Sequence, residues 1–125
     1  MASLDGKRVL VVEDEMLIAA MLEDMLGELG AVVVGPAATI ADGLLLARSE
    51  PLDAAVLDVN VRDQRIDPVA DVLAERGIPM VFATGYGQSA ILAVRGAPVL
   101  DKPYTRERVE MALLGCLAAK PASAS

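Results

Sequence analysis

Five short runs of consecutive apolar residues, separated by spacers long enough for a helix, constrain the fold more than any other feature of the sequence. The runs are VLVV from Val9, AVVV from Ala31, AAVL from Ala54, IPMVFA from Ile78 and APVL from Ala97. Continuous apolar character without alternation is typical of strands covered on both faces, as in a parallel sheet. Because crossovers between parallel strands are right-handed, we predict an α/β fold with a doubly wound, five-stranded parallel sheet.

The spacers carry helix signals. Between Met16 and Leu29, apolar residues recur at helical spacing and predict a buried stripe that ends near Gly30. The members of this stripe are Leu17, Met21, Leu22, Met25, Leu26 and Leu29. Capping residues predict three more helices. These residues are Thr39, Asp67 with Pro68, and Thr105.

The fourth spacer, GYGQSAILAVRG, is less regular, because its two early glycines obscure where a helix would begin. The last segment, KPASAS, has the composition of a disordered end. We therefore predict one domain over residues 1–119 and a disordered tail over residues 120–125.

The composition excludes several classes of protein. A chain of 125 residues that is 54% hydrophobic can bury a core without disulfides or structural metal. The single cysteine, Cys116, rules out an internal disulfide and fits a reducing compartment. A net charge of −7 opposes binding to nucleic acid or anionic membranes, and no apolar run could span a bilayer, so we predict a cytoplasmic protein. Without histidine, a histidine-based catalytic triad or zinc site is impossible.

Polar side chains stand where four of the five predicted strands end. Glu13 and Asp14 follow the first strand, and Asp58 ends the third. Thr84 ends the fourth strand, and Lys102 follows the fifth. Alone, each residue could serve only as a helix start, a cap or a solvated side chain. Because parallel strands end at one edge of the sheet, we expect three carboxylates, a hydroxyl and an ammonium to form one site.

These groups predict phosphoryl chemistry. Three neighbouring carboxylates repel one another unless a cation lies among them, and oxygen ligands without histidine or cysteine favour Mg²⁺. The metal, Thr84 and Lys102 could together neutralise and position a phosphoryl group. Asp58 is the candidate nucleophile, because aspartyl phosphates are an established covalent class. No glycine-rich loop of the nucleotide-binding type is present, so a nucleotide is not the expected donor.

Over nearly its whole length the chain resembles the receiver domain of bacterial two-component response regulators, through VEDE, LDVN, ATG and DKP in the expected order. The resemblance implies a flavodoxin-like, CheY-like fold with strand order 2-1-3-4-5 and five helices. It implies a phosphoacceptor signalling protein that catalyses only its own phosphorylation and dephosphorylation. The phosphoryl donor would be a histidine of a sensor kinase or of a histidine phosphotransfer protein.

The resemblance also implies a role for each site residue. Asp58 would accept the phosphoryl group and, with Asp14, would bind Mg²⁺ directly. Glu13 would act on the metal largely through water, and Asn60 would offer its backbone carbonyl. Thr84 and Lys102 would bind phosphoryl oxygens.

The sequence departs from most receivers at one position. Val99 stands where an aromatic residue usually reports phosphorylation to the outer face. The FATG motif followed by Tyr86 resembles a subset of short, stand-alone receivers that commonly lack this aromatic. Because valine has one stiff side-chain torsion, we expect residues 84–96 to act as the switch instead.

Output is expected through contacts with a downstream protein, at the surface formed by the fourth helix, fifth strand and fifth helix. The predicted state is a monomer or a phosphorylation-dependent dimer, with no nucleic-acid or membrane partner. Two other functions stay open from the residues alone. One is a receiver fold that serves as an interaction module with little phosphorylation. The other is a magnesium-dependent enzyme with a Toprim-like arrangement of acids, although DVN supplies only one acid of the required pair.

Overall fold

The computed structural model describes residues 3–84, 97–102 and 104–118, which contain seven strands and four helices. The strands are β1 (Arg8–Val12), β2 (Val32–Ala37), β3 (Ala54–Asp58), β4 (Asn60–Val61), β5 (Gln64–Arg65), β6 (Met80–Thr84) and β7 (Val99–Asp101). The helices are α1 (Met16–Glu28), α2 (Ile40–Ser49), α3 (Asp67–Glu75) and α4 (Arg106–Ala118).

A five-stranded parallel sheet of order β2-β1-β3-β6-β7 organises the fold. The predicted fourth and fifth strands are β6 and β7, so the predicted topology is confirmed. Asp58 pairs with Ala83 across β3 and β6, while Thr84 pairs with Asp101 across β6 and β7. This register brings the carboxyl ends of the central strands together at one edge.

The sheet is buried on both faces, which explains the continuous apolar runs. In β1, Leu10 and Val12 pack in the cluster that includes residues of α2 and α3. Val9 and Val11, on the opposite face, pack in the cluster that includes residues of α1 and α4. Phe82 is on the α2 and α3 side and is the largest of the fully buried side chains in the described part of the chain.

Helix caps follow the sequence closely. Thr39 Oγ1 accepts a hydrogen bond from the Asp42 backbone N–H at 3.1 Å, and Thr105 Oγ1 accepts one from the Arg108 backbone N–H at 3.2 Å. Both predicted caps are therefore confirmed. The prediction for the third helix was wrong by one residue, because α3 begins at Asp67 and Ile66 is its N-cap. Asp67 is in the first turn, where its carboxylate favours the positive end of the helix dipole.

The prediction of a single buried stripe along α1 was wrong at two positions. Leu22 and Leu26 are buried with Ala19, as the helical spacing predicted. Leu17, however, is 75% exposed, and Met21 is also exposed. The buried face is narrower than the apolar stripe, because only part of the helix surface meets the sheet and α4.

A small antiparallel hairpin, β4–β5, was not predicted. It follows β3 directly, and its turn residues Arg62 and Asp63 have positive φ angles of 50° and 63°. Such angles are uncommon in residues other than glycine. The turn holds the chain beside the carboxyl edge of the sheet, next to the predicted site.

Several predictions lie outside the described residues. These are the fourth helix, residues 85–96 of the predicted switch segment 84–96 with Tyr86, and the tail over residues 120–125. The domain boundary at residue 119 also stays a prediction. Among the described helices, none has the length and apolar character needed to cross a bilayer.

Candidate functional site

The carboxyl edge of the sheet brings the predicted site residues together. Glu13 and Asp14 follow β1, Asp58 ends β3, Thr84 ends β6, and Lys102 follows β7. An open cavity of about 390 Å³ lies at this edge. It is lined by Asp14, Glu15, Asp58, Val59, Asn60, Arg62, Asp63, Thr84 and Lys102. Glu13 is not among these lining residues and is buried.

Three carboxylates form a tight group at the cavity. Ligand oxygens of Glu13, Asp14 and Asp58 all lie within 4.8 Å of one another. Asp58 and Glu13 are buried, whereas Asp14 is half-buried. Like charges at this separation raise the free energy of the folded protein unless a cation compensates them.

Lys102 supplies one such cation. Its Nζ donates hydrogen bonds to Asp58 Oδ2 at 2.9 Å and to Glu13 Oε1 at 3.0 Å. A third hydrogen bond, also of 3.0 Å, goes to Glu15 Oε1. Burial alone would lower the pKa of Lys102, but its hydrogen bonds to the three carboxylates outweigh this and raise the pKa. The side chain is therefore an ammonium at any pH near neutrality.

The pKa of the Glu13 carboxylate is raised above its ordinary value. Burial raises its pKa from 4.5 to about 7, while the hydrogen bond from Lys102 opposes the rise and the charge of Asp58 adds to it. Lys102 Nζ lies 3.0 Å from both carboxylate oxygens, but only Oε1 accepts a well-directed hydrogen bond. Oε2 is buried and has no hydrogen-bond donor within the described part of the chain.

Backbone N–H groups orient the carboxylates. Asn60 N donates to Asp58 Oδ1 at 3.2 Å, and Arg62 N donates to Asp14 Oδ2 at 2.9 Å. The Arg62 side chain is itself fixed, because its Nε donates to the Ala38 carbonyl at 3.1 Å. The hairpin, which was not predicted, thus orients Asp14, a predicted metal ligand that is distant from it in sequence.

Two residues of the site were missed by the sequence interpretation. Glu15 lies in the quoted VEDE motif but follows the two acids assigned to the strand end, and it pairs with Lys102. Arg62 contributes through its backbone N–H, and no residue type in the sequence predicts such a contribution. A third acid beside Glu13 and Asp14 was the only available clue to Glu15.

The donor set fits a hard divalent cation. Glu13, Asp14, Glu15 and Asp58 carry −4 when ionised and Lys102 carries +1, so the cluster retains −4 + 1 = −3. All available ligands are oxygens, which is the set that Mg²⁺ prefers. Glu13 Oε2, which accepts no hydrogen bond from any residue that the structure describes, leaves an acceptor for a metal or for its water. The described residues could therefore hold a metal ion, as predicted.

Comparisons with known proteins point to one family. No family model matches the chain. The chain is similar to SdrG from Sphingomonas melonis Fr1, with 44% identity and a TM-score of 0.79 over 94% of this chain and 99% of that one. It is similar to the receiver domain of the PhyR response regulator from Erythrobacter litoralis, with 27% identity and a TM-score of 0.80 over 94% of this chain and 95% of that one.

The curated relatives are longer. The transcriptional regulatory protein PdtaR from Mycobacterium tuberculosis is 35% identical over 83 residues, which are 66% of this chain and 40% of that protein. The phyllosphere-induced regulator PhyR from Methylorubrum extorquens is 31% identical over 101 residues, which are 77% of this chain and 38% of that protein. The chain thus spans less than half the length of these two relatives.

Proposed function

The chain belongs to the receiver-domain family of response regulators, and from this membership we propose that it accepts a phosphoryl group on Asp58 in a magnesium-dependent reaction. The observation that carries the proposal is the placement of Asp58. Its carboxylate lies at the tip of the central strand β3, opens onto the cavity and lies 2.9 Å from Lys102 Nζ.

The transfer needs one nucleophile and several charge-neutralising groups. A lone pair on an Asp58 carboxylate oxygen forms the new bond to phosphorus. The bond from phosphorus to the donor breaks, and its electron pair leaves with the donor's imidazole or carboxylate group. Because the chain has no histidine, a donor imidazole must come from another protein. Hydrolysis returns the protein to its unphosphorylated form. In this step water attacks phosphorus, and Asp58 leaves as a carboxylate.

Lys102 and Thr84 would bind the phosphoryl oxygens. Lys102 Nζ already contacts Asp58, and Thr84 lines the same cavity. Such groups stabilise the charge that spreads over the transferred phosphoryl oxygens. When bound, Mg²⁺ would neutralise part of the same charge. Its ligands would be Asp14, Asp58 and the Asn60 carbonyl, with Glu13 acting through water.

We propose two kinds of partner, a phosphoryl donor and a downstream protein. A sensor histidine kinase or histidine phosphotransfer protein would supply the phosphoryl group, and an unidentified downstream protein would bind the phosphorylated form. The α4 surface carries the exposed cation Arg108, which suits an acidic partner, beside Arg106, which forms ion pairs with Glu28 and Glu107. Charge reversal at Arg108 should weaken phosphorylation-dependent binding without changing the labelling of Asp58.

The decisive experiment is labelling with acetyl phosphate and Mg²⁺, read by intact-protein mass spectrometry. We expect one phosphoryl group per chain in the wild type and none in Asp58→Asn. Asp63→Asn is the matched control, because Asp63 is an acid that lines the same cavity, and it should be labelled like the wild type. Equal labelling of Asp58→Asn would refute the assignment. An unlabelled wild type would favour the alternative of a receiver fold that acts as an interaction module.

A further inference from the structure

All three N–H donors of the Lys102 ammonium group are engaged in hydrogen bonds. A lysine ammonium has three N–H donors. Here they meet Glu13 Oε1 at 3.0 Å, Glu15 Oε1 at 3.0 Å and Asp58 Oδ2 at 2.9 Å. A phosphoryl oxygen can therefore gain a hydrogen bond from Lys102 only if one of these carboxylates gives up its own.

The three carboxylates differ in how easily each can give up its hydrogen bond with Lys102. The side chains of Glu13 and Asp58 are only 2% and 8% exposed, so an unpaired charge on either would be costly until transfer removes the carboxylate charge of Asp58. The Glu15 side chain is 61% exposed and can exchange its ion pair for water at little cost. Its backbone N–H donates to Glu13 Oε1 at 3.1 Å, so the main chain can stay in place when the side chain turns away.

Resting on the proposed phosphorylation of Asp58, we propose that Glu15 is a positioning residue that holds one donor of Lys102 in the unphosphorylated protein and releases it to the incoming phosphoryl group. Glu15 thereby competes with the phosphoryl oxygens for the ammonium. It slows phosphorylation and makes the resting state of the site more stable. Glu13 and Asp58 keep Lys102 at the site while the exchange occurs.

Two substitutions separate this contact from the general field of a negative charge. Glu15→Gln removes the charge with little change in shape. Glu15→Asp keeps the charge but shortens the side chain by one methylene, so that it no longer reaches Lys102. If the contact slows the reaction, both variants should be phosphorylated by acetyl phosphate about two- to fivefold faster than the wild type, which is the range for an exposed ion pair.

Asp63→Asn is the matched control. It removes a charge from another exposed acid of the same cavity. We expect its labelling rate to stay within about 1.5-fold of the wild-type rate, because screening weakens the field of an exposed charge that makes no contact with Lys102. A general field effect would instead accelerate Glu15→Gln and Asp63→Asn alike and leave Glu15→Asp at the wild-type rate.

Salt gives a readout that a purely structural role would not change. Glu15→Asp and the wild type have equal charge, so the long-range electrostatic effect of the protein on the anionic donor cancels in their rate ratio. Because salt screens an exposed ion pair, this ratio should fall towards one as the ionic strength rises to about 1 M. A ratio that stays constant with salt would count against the ion pair as the cause.

The outcomes separate the two proposals. A wild type that takes no label refutes the proposed function. A labelled wild type with Glu15→Asp and Glu15→Gln at or below its rate overturns the role of Glu15 and leaves the function of Asp58 intact. Thermal unfolding of each variant tests whether a change in labelling rate comes from loss of the fold.

Discussion

The buried carboxylate of Glu13 should make the stability of the metal-free protein fall as the pH rises. Its pKa is about 7 in the folded protein and 4.5 ordinarily. Between these values the folded state keeps a proton that the unfolded chain releases. The stabilisation is therefore complete below the unfolded pKa and is lost as the pH rises through the folded pKa. The difference, 7 − 4.5, is worth about 3 kcal/mol at 1.36 kcal/mol per pH unit.

Urea unfolding in EDTA measures this loss directly. The free energy of unfolding should fall by about 3 kcal/mol between about pH 4 and about pH 8. A thermal midpoint should fall by about 10 °C over the same range, given the usual change of a few degrees per kcal/mol. Mg²⁺ binds ionised carboxylates and should therefore flatten the pH dependence, because it stabilises the native state at high pH.

The control is Glu13→Gln, which keeps an acceptor for Lys102 but cannot titrate. In EDTA this variant should lose most of the pH dependence, whereas Glu23→Gln, at an exposed position of α1, should keep it. If the unfolding free energy of Glu13→Gln depended on pH as strongly as that of the wild type, the reasoning would be refuted, since the pH dependence would then come from other groups. Wild-type stability that increases with pH over this range would show that the charged form of Glu13 is favoured by the fold.

Other parts of the structure give further predictions. Lys102→Met leaves the carboxylates without their ammonium, so urea unfolding in EDTA should show a loss of about 3 kcal/mol that Mg²⁺ partly restores. Gly35→Ala should destabilise by about 1–3 kcal/mol, because φ is +96° and a Cβ would lie 2.8 Å from a backbone nitrogen. Gly115→Ala, where a Cβ meets nothing within 4 Å, should stabilise α4 by about 0.5–1 kcal/mol. Thr105→Ala should lower the thermal midpoint through the loss of about 1 kcal/mol of capping.

The sequence was informative wherever a residue type reflects a local requirement. Apolar runs identified the strands because strands buried on both faces need apolar side chains throughout. Polar residues at the strand ends then predicted the site, since parallel strands deliver their carboxyl ends to one edge. Thr39 and Thr105 were identifiable as caps because a cap is a contact between residues close in sequence.

Other features depend on distances that no local pattern contains. Leu17 fits the helical stripe of α1, but its burial depends on which neighbours reach it, and it is exposed. The pairing of Glu15 with Lys102 joins residues separated by 87 positions. The turn at Arg62 and Asp63 lacks the glycine that usually signals positive φ angles. The role of Val99, as a position without an aromatic switch, stays a prediction.

The bond between Arg62 and Asp14 has a consequence for how this site can change. The donor is the backbone N–H of Arg62, so its side chain is not needed for the bond. Most substitutions at this position would keep Asp14 oriented, and only proline would remove the donor while also opposing the positive φ. The charge and shape of the cavity rim at residue 62 can thus change without disturbing the orientation of the Asp14 carboxylate. The character of the rim and the orientation of Asp14 are separable at this residue, because one belongs to the side chain and the other to the main chain.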